Sequence, residues 1–511
     1  MKTIHVNNFG GGIAPDPYSV ALGEFSNCRN FDIHAFPHRL IPLPSMTADT
    51  TGTAVGNMII AHDLKVYGMG CEVANPGQGQ IWVSTGSGWT ALTKSTGGGA
   101  VNYNMLVDYP SSDSGLSMIF AGVNKIVRCD PLDSASNVTQ VLTFVAGSIS
   151  QGYVHPTNNV LYFGYSTTSG TFIASYNGAT NTWNLTALTL PKRYTVVSIN
   201  KYGNYLAIGC TTYSTAVVPG GGTDNSVIFL WNMDETQSWN ESVPLGDNSL
   251  FALNNLEGYL VSASTLQGND YGSLQIQAYS GGQPQMLKEI MVDRTDPSTS
   301  PTFNSYRVVN FIHRNKMYFS LDLVGGGSST SKKGLWAFGK NKSGQWAINV
   351  ERYGTTDGSD ASVLAAAFRL DYLFACVTSV GTLNVGVTSA AGWASEFASP
   401  SYLETSVNPL MDSRRDTKLD VGLQKQLASV ALHYVPLPST GQVVLKYRVD
   451  GGSWITIFTE TTTGAVVTER TMDASSTQFT QGRNYEFRIE STGGARVLGL
   501  TYKYEDIPTA L

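Results

Sequence analysis

Apolar and polar positions alternate along most of the chain in runs of four to eight residues, the period of half-buried β-strands. No helical period is sustained. In the middle of the chain one unit recurs. An apolar-aromatic strand ending in Gly, Ser or a small residue is followed by a loop, a second apolar strand and often a turn with Trp. The clearest copies begin at Asn159-Val160-Leu161-Tyr162-Phe163-Gly164, Asn204-Tyr205-Leu206-Ala207-Ile208-Gly209 and Lys316-Met317-Tyr318-Phe319-Ser320. The anchors Tyr67, Phe120, Tyr162, Tyr205, Tyr259, Tyr318 and Tyr372 are spaced by 53, 42, 43, 54, 59 and 54 residues. That is the length of a four-stranded propeller blade with loop insertions. A small sheet cannot bury both faces alone, whereas a ring of such sheets buries each against the next. The pattern therefore predicts an all-β chain with a β-propeller of six or seven blades over 51–398. The anchor strand is expected first in each blade, near the axis, with the Trp residues in slots between blades.

The flanks differ. Residues 1–50 do not repeat; their turn residues and Pro37, Pro42 and Pro44 predict an extended N-terminal arm lying on another part of the molecule. Residues 399–511 alternate cleanly. Leu445, Tyr447 and Val449 lie on one face of a strand, with Lys446, Arg448 and Asp450 on the other. Asp450-Gly451-Gly452 reads as a hairpin and Ser453–Phe458 as its return. This region is expected to be a C-terminal antiparallel β-sandwich, with 404–424 a loop or edge strand.

Composition agrees with this plan. Of 511 residues, 53 are Gly and 25 Tyr, and only 14% are charged. Scarce Glu and Lys with abundant Val, Thr and Tyr exclude a helical bundle. The net charge of −6, with no basic run, disfavours tight binding to nucleic acid. The cysteines, Cys28, Cys71, Cys129, Cys210 and Cys376, are odd in number and scattered, so they are expected to be reduced and buried rather than bridged. No secretory leader is expected at the N-terminus, and no apolar stretch is long enough to span a membrane.

Candidate chemistry is sparse. The sequence holds no G-x-S-x-G, H-E-x-x-H or phosphate-binding loop. The runs Gly97–Gly99, Gly220–Gly222 and Gly325–Gly327 read as loop tips. Lys342-Ser343-Gly344-Gln345-Trp346 only half matches the Asp-containing turn of sialidase propellers. Asp234, Glu235 and Glu241 are the nearest approach to a glycosidase carboxylate pair. His34 and His38 stand four apart, but Pro37 argues against a helix that would aim both at one ion; His62, His155, His313 and His433 are isolated. The residues therefore assign no catalytic, cofactor or metal site, and the chain is expected not to be an enzyme.

Two ends of the chain carry a resemblance. Asn8-Phe9-Gly10-Gly11-Gly12-Ile13-Ala14-Pro15-Asp16-Pro17, Asn30-Phe31-Asp32-Ile33 and Pro37-His38-Arg39-Leu40 look like the opening of structural proteins of tailed bacteriophages. Val444–Asp450 with Trp454 and Phe487–Ser491 resembles their C-terminal sandwich. The plan of arm, propeller and sandwich is similar to the nozzle, or tail hub, proteins of short-tailed phages. The resemblance implies a virion structural protein of the tail, made in the host cytoplasm. It implies a homo-oligomeric ring of six copies below the head-to-tail adaptor. Genomic DNA would leave through the ring without sequence-specific binding, and fibres would dock outside it. The alternative is a tail-tip or fibre-associated protein that binds a host receptor or glycan.

Overall fold

In the computed structural model the chain is all-β, with no helix among the described residues. These are residues 1–15, 24–25, 27–43, 46–48 and, with short breaks, 58–212, 225–267, 271–293, 302–324, 332–352, 362–388, 401–407, 424–471 and 479–507. Asp16-Pro17, Asp412–Asp416 and the three glycine runs lie outside them. No described helix is long and apolar enough to cross a membrane.

Among the described residues, seven antiparallel sheets follow one another from residue 58 to 388. Each is a meander of strands adjacent in sequence, so their pairing is local. The sixth sheet, for example, runs Thr302–His313, Lys316–Val324, Lys332–Lys340 and Trp346–Arg352. Leading strands of neighbouring sheets touch, save that the third sheet meets the leading strand of the fourth through Val160–Ser166, and the leading strand of the seventh, Val363–Arg369, touches that of the first, Met58–His62. The arrangement is propeller-like. Met46–Ala48, from the N-terminal segment, supplies the outermost strand of the seventh sheet by pairing with Thr382–Thr388.

Every anchor of the repeat lies in one of these sheets, but in its second strand, not its first. The expected strand order is thus off by one. The true leading strands lack the Gly-ended aromatic signature. One carries Ala365-Ala366-Ala367, and three carry a buried polar girdle. In that girdle Asn310 Nδ2 donates to Ser198 Oγ at 2.9 Å and to Leu253 O at 3.2 Å. Asn254 Nδ2 donates to Asn310 Oδ1. These side chains tie the fourth, fifth and sixth sheets together where they crowd. The tryptophans divide. Trp231 and Trp346 pack edge-on against Tyr162 and Tyr259 of the preceding sheets. Trp183 instead stacks at 4.1 Å on Tyr176 of its own sheet.

The C-terminal region forms two antiparallel sheets over a shared core. One has the order Lys2–Val6, Val497–Ile507, Gln424–Tyr434, Val467–Thr471. The other continues the sixth sheet through Asn27–Arg29 to Ser401–Val407, Tyr485–Thr492, Gln442–Val449 and Ile455–Glu460. Ser401–Val407 is therefore interior to a sheet; residues 408–423 lie outside the described part. The alternation is realised as read. Val443, Leu445, Tyr447, Phe487 and Ile489 are buried, while Lys446, Arg448, Glu486 and Glu490 lie between them on the other face. Both cysteines whose burial is described, Cys28 and Cys210, are free and buried.

Candidate functional site

The arm joins the fifth, sixth and seventh sheets to the C-terminal sheets. Its N-terminal strand Lys2–Val6 pairs with Val497–Ile507. Asn27–Arg29 bridges Trp346–Arg352 on one side and Ser401–Val407 on the other. Phe9, Ile13, Phe25, Phe31, Ile33 and Leu40 are fully buried and share one core with Ile348 and Val350 of the sixth sheet and Leu445, Phe487 and Val497 beyond it. Each such side chain contributes about 1.5–3 kcal/mol by burial, so the arm is an integral part of the fold.

Local chemistry fixes its path. Gly12 has φ of +73°, and a Cβ there would lie 2.6 Å from the carbonyl oxygen of Ile348. Only glycine accepts that backbone and that approach. Asn8 Oδ1 accepts from the Gly10 amide at 3.0 Å. Asn341, in the turn before Trp346, donates from Nδ2 to Gly10 O at 2.9 Å, while its Oδ1 accepts from the amides of Ser343 and Gln345. Asn349 Nδ2 donates to Phe31 O at 2.9 Å, and the amide of Lys342 to His34 O at 3.0 Å. The fifth sheet contributes Lys288, whose ammonium meets Glu24 at 2.6 Å.

A buried cluster of charges sits inside this joint. Asp32 Oδ1 caps its own turn, accepting from the amides of His34 and Ala35 at 3.1 and 3.0 Å. That turn sends the His34 ring inward, where Nε2 meets Ala347 O at 3.2 Å and Nδ1 faces Glu351 Oε1 at 3.5 Å. Lys316 follows a hairpin turn built on Arg314 and Asn315, both at positive φ, and its Nζ lies 2.5 Å from Glu351 Oε1 and 4.0 Å from Asp32 Oδ1. Tyr318 donates to Glu351 Oε2 at 2.7 Å. Burial alone would push the Glu351 carboxyl up; the Lys316 ammonium and the neighbouring His34 ring outweigh it and hold it well below the usual carboxylate range. Burial, reinforced by Glu351, pushes the Cys28 thiol far up, so it is an inert core group. Asp32, His34 and Glu351 each bring one metal-ligand atom within 4.8 Å of the others.

The other candidates separate. His38 is exposed whereas His34 is buried, so the two do not share a site. Glu235 accepts from Ser175 and Asn184 of the third sheet, and Glu241 accepts from Tyr279 of the fifth. Their hydrogen-bond partners lie in different sheets, and each carboxylate is engaged separately. Asp234 caps the turn at Thr236. His155 is buried and its imidazolium form is disfavoured, chiefly by burial and then by Lys201. His313 stacks on Phe368 at 4.0 Å, and His433 meets Thr501 on the surface. His62 lies in a strand whose side chain is outside the described part. Sequence reasoning singled out His34 but missed Lys316 and Glu351 as its partners.

No protein-family model matches the chain, and no curated protein matches it. Solved structures do. A mutant puromycin hydrolase complexed with PGG is 9% identical with a TM-score of 0.44, covering 70% of this chain and 57% of its own. A puromycin-hydrolyzing peptidase of Mycobacterium tuberculosis is 10% identical with a TM-score of 0.45, covering 72% and 61%. The chain thus spans about three fifths of the length of these two proteins. The β-propeller domain of the trilobed protease from Pyrococcus furiosus is 9% identical with a TM-score of 0.38, covering 68% of this chain and all of its own. One expectation is corrected here. The chain was expected not to be an enzyme, because its sequence lacks the usual catalytic motifs. Two of the solved structures it is similar to are a puromycin hydrolase and a puromycin-hydrolyzing peptidase, so that expectation does not stand.

Proposed function

We propose that the chain is a structural component of a bacteriophage tail, the nozzle ring below the head-to-tail adaptor. In this reading the seven sheets are the blades of a propeller closed by Met46–Ala48, and the two C-terminal sheets are a β-sandwich welded to it by the arm. Six copies form a ring, fibres dock on its outside, and DNA passes through a mildly acidic channel that does not hold it. The protein resides in the virion.

One observation carries the reading. The stretches that resemble tailed-phage structural proteins, Asn8–Pro17, Asn30–Ile33 and Pro37–Leu40, supply residues that build the joint. Phe9, Gly12, Phe31, Asp32 and Leu40 hold propeller and C-terminal sheets in one core. Such a weld suits a part that must keep its shape under load, because interlocked sheets transmit strain where hinged domains would yield.

The test is immunogold labelling of purified particles with antibody against residues 400–511, together with electron microscopy of the purified protein. Label at the tail vertex and sixfold rings support the nozzle. Label at fibre ends moves the function to receptor binding, and unlabelled particles overturn the virion assignment.

A further inference from the structure

We propose that Asp32, His34 and Glu351 form a site for a divalent transition-metal ion of the zinc type, which takes the place held here by the Lys316 ammonium and clamps the arm to the sixth sheet. The proposal does not depend on the tail assignment.

The tautomer of His34 is the starting point. Nε2 faces the carbonyl oxygen of Ala347, which can only accept, so in the neutral ring Nε2 carries the hydrogen. Nδ1 then offers a lone pair. It is buried, has no hydrogen-bond partner, and points at a carboxylate oxygen 3.5 Å away. A shared cation, whether a proton or a metal ion, would bridge that gap. The side chain is 4% exposed, so bulk water does not reach it.

Charge points the same way. Replacing the ammonium by a dication brings Asp32, Glu351 and the ion to neutrality. Lys316 has a long flexible stem and is 12% exposed, so it can withdraw toward solvent.

Each ligand is already held from outside. Ala347 O orients His34, the Tyr318 hydroxyl fixes Glu351, and two backbone amides fix Asp32. Such outer partners are what metal ligands need in order to keep their aim. One nitrogen and two oxygens suit zinc and its neighbours better than magnesium or calcium, which prefer oxygen alone. Ligand atoms within 4.8 Å of one another need to close in by about 1 Å to reach zinc distances. Three protein ligands leave a fourth position for water. The ion would bind arm and propeller sheet together, two ligands coming from the arm and one from the sheet.

The experiment uses the full chain, stripped with chelator and then titrated with Zn²⁺ and, separately, Co²⁺. Expected are one zinc per chain retained through gel filtration, a rise in melting temperature that Mg²⁺ does not give, and visible Co²⁺ absorption bands. His34→Ala and Glu351→Gln abolish retention, while His38→Ala, at the exposed neighbour, leaves it unchanged. Tyr318→Phe weakens binding by roughly 10–100-fold. Lys316→Met, which removes the competing ammonium, tightens it. The Co²⁺ spectrum of the unaltered chain keeps the test decisive if a variant fails to fold. Absence of zinc from both the unaltered chain and Lys316→Met overturns the proposal, as does equal retention by His34→Ala.

Discussion

The side-chain amide of Asn341 donates to the carbonyl oxygen of Gly10 at 2.9 Å while its own oxygen closes the turn at Ser343 and Gln345. One side chain therefore shapes a hairpin of the sixth sheet and anchors the arm that crosses it. Asn341→Ala leaves buried donors and acceptors unmatched at both places. A loss of about 2–4 kcal/mol is expected in urea unfolding. Asn341→Asp keeps the turn-closing acceptor but removes the donor to Gly10. It should keep part of the stability and expose the arm to proteolysis.

Gly12→Ala introduces a Cβ against the Ile348 carbonyl at a positive φ. The strain is about 1–3 kcal/mol for the backbone alone, and the contact adds to it. The expected readout is rapid cleavage of residues 1–43 by a protease that spares them in the unaltered chain. Gly281→Ala, also at positive φ but with open space around it, costs only the backbone part and leaves the arm protected.

Asn310 joins three sheets through Ser198, Leu253 and Asn254. Asn310→Leu, near in volume, strands several buried polar groups at once and should cost about 2–4 kcal/mol. Unfolding midpoints followed by far-ultraviolet circular dichroism check this. Asn255→Leu, whose Nδ2 contact is with Lys201 O at 3.1 Å, should cost less.

Tyr485 supplies a pH test. Its hydroxyl lies 2.6 Å from Thr480 O and 2.9 Å from Lys425 O, and its single hydrogen is shared between these two acceptors. Burial above all, with Tyr447 and Asp450 nearby, pushes its ionisation up to about 12 from the ordinary 10.0. Folding thus favours the neutral phenol. The contribution is fully present below about pH 10 and declines as pH rises past that value, because the unfolded chain ionises first. Tyr485→Phe should lower stability at pH 7 by about 1–3 kcal/mol and flatten the loss between about pH 10 and 12. Denaturant unfolding at stepped pH measures both.

Local features were legible in the sequence and topological ones were not. Tyr162, Tyr205 and Tyr318 announce one sheet each because a hairpin and its alternation are written in adjacent residues. The leading strands were misassigned because their character comes from crowding. Asn254 and Asn310 look like surface residues until the ring brings them together. Leu445, Tyr447 and Phe487 were readable since one buried face repeats every second residue. The charged joint was not. His34 stands out as a histidine beside Asp32, but nothing near Glu351 or Lys316 marks them as its partners. Only the return of the arm to the sixth sheet makes them so.

Lys2–Val6 hydrogen-bonds to Val497–Ile507, and Met46–Ala48 completes a sheet whose other strands begin at Val363. Residues made early by the ribosome thus wait for residues made hundreds of positions later. Until about residue 507 has emerged, the arm has no partner strand in the C-terminal sheet, and buried side chains such as Phe9 and Phe31 lack most of their surroundings. A truncated product carries those aromatic groups exposed, marking it for chaperones and proteases, and only a finished molecule can hide them.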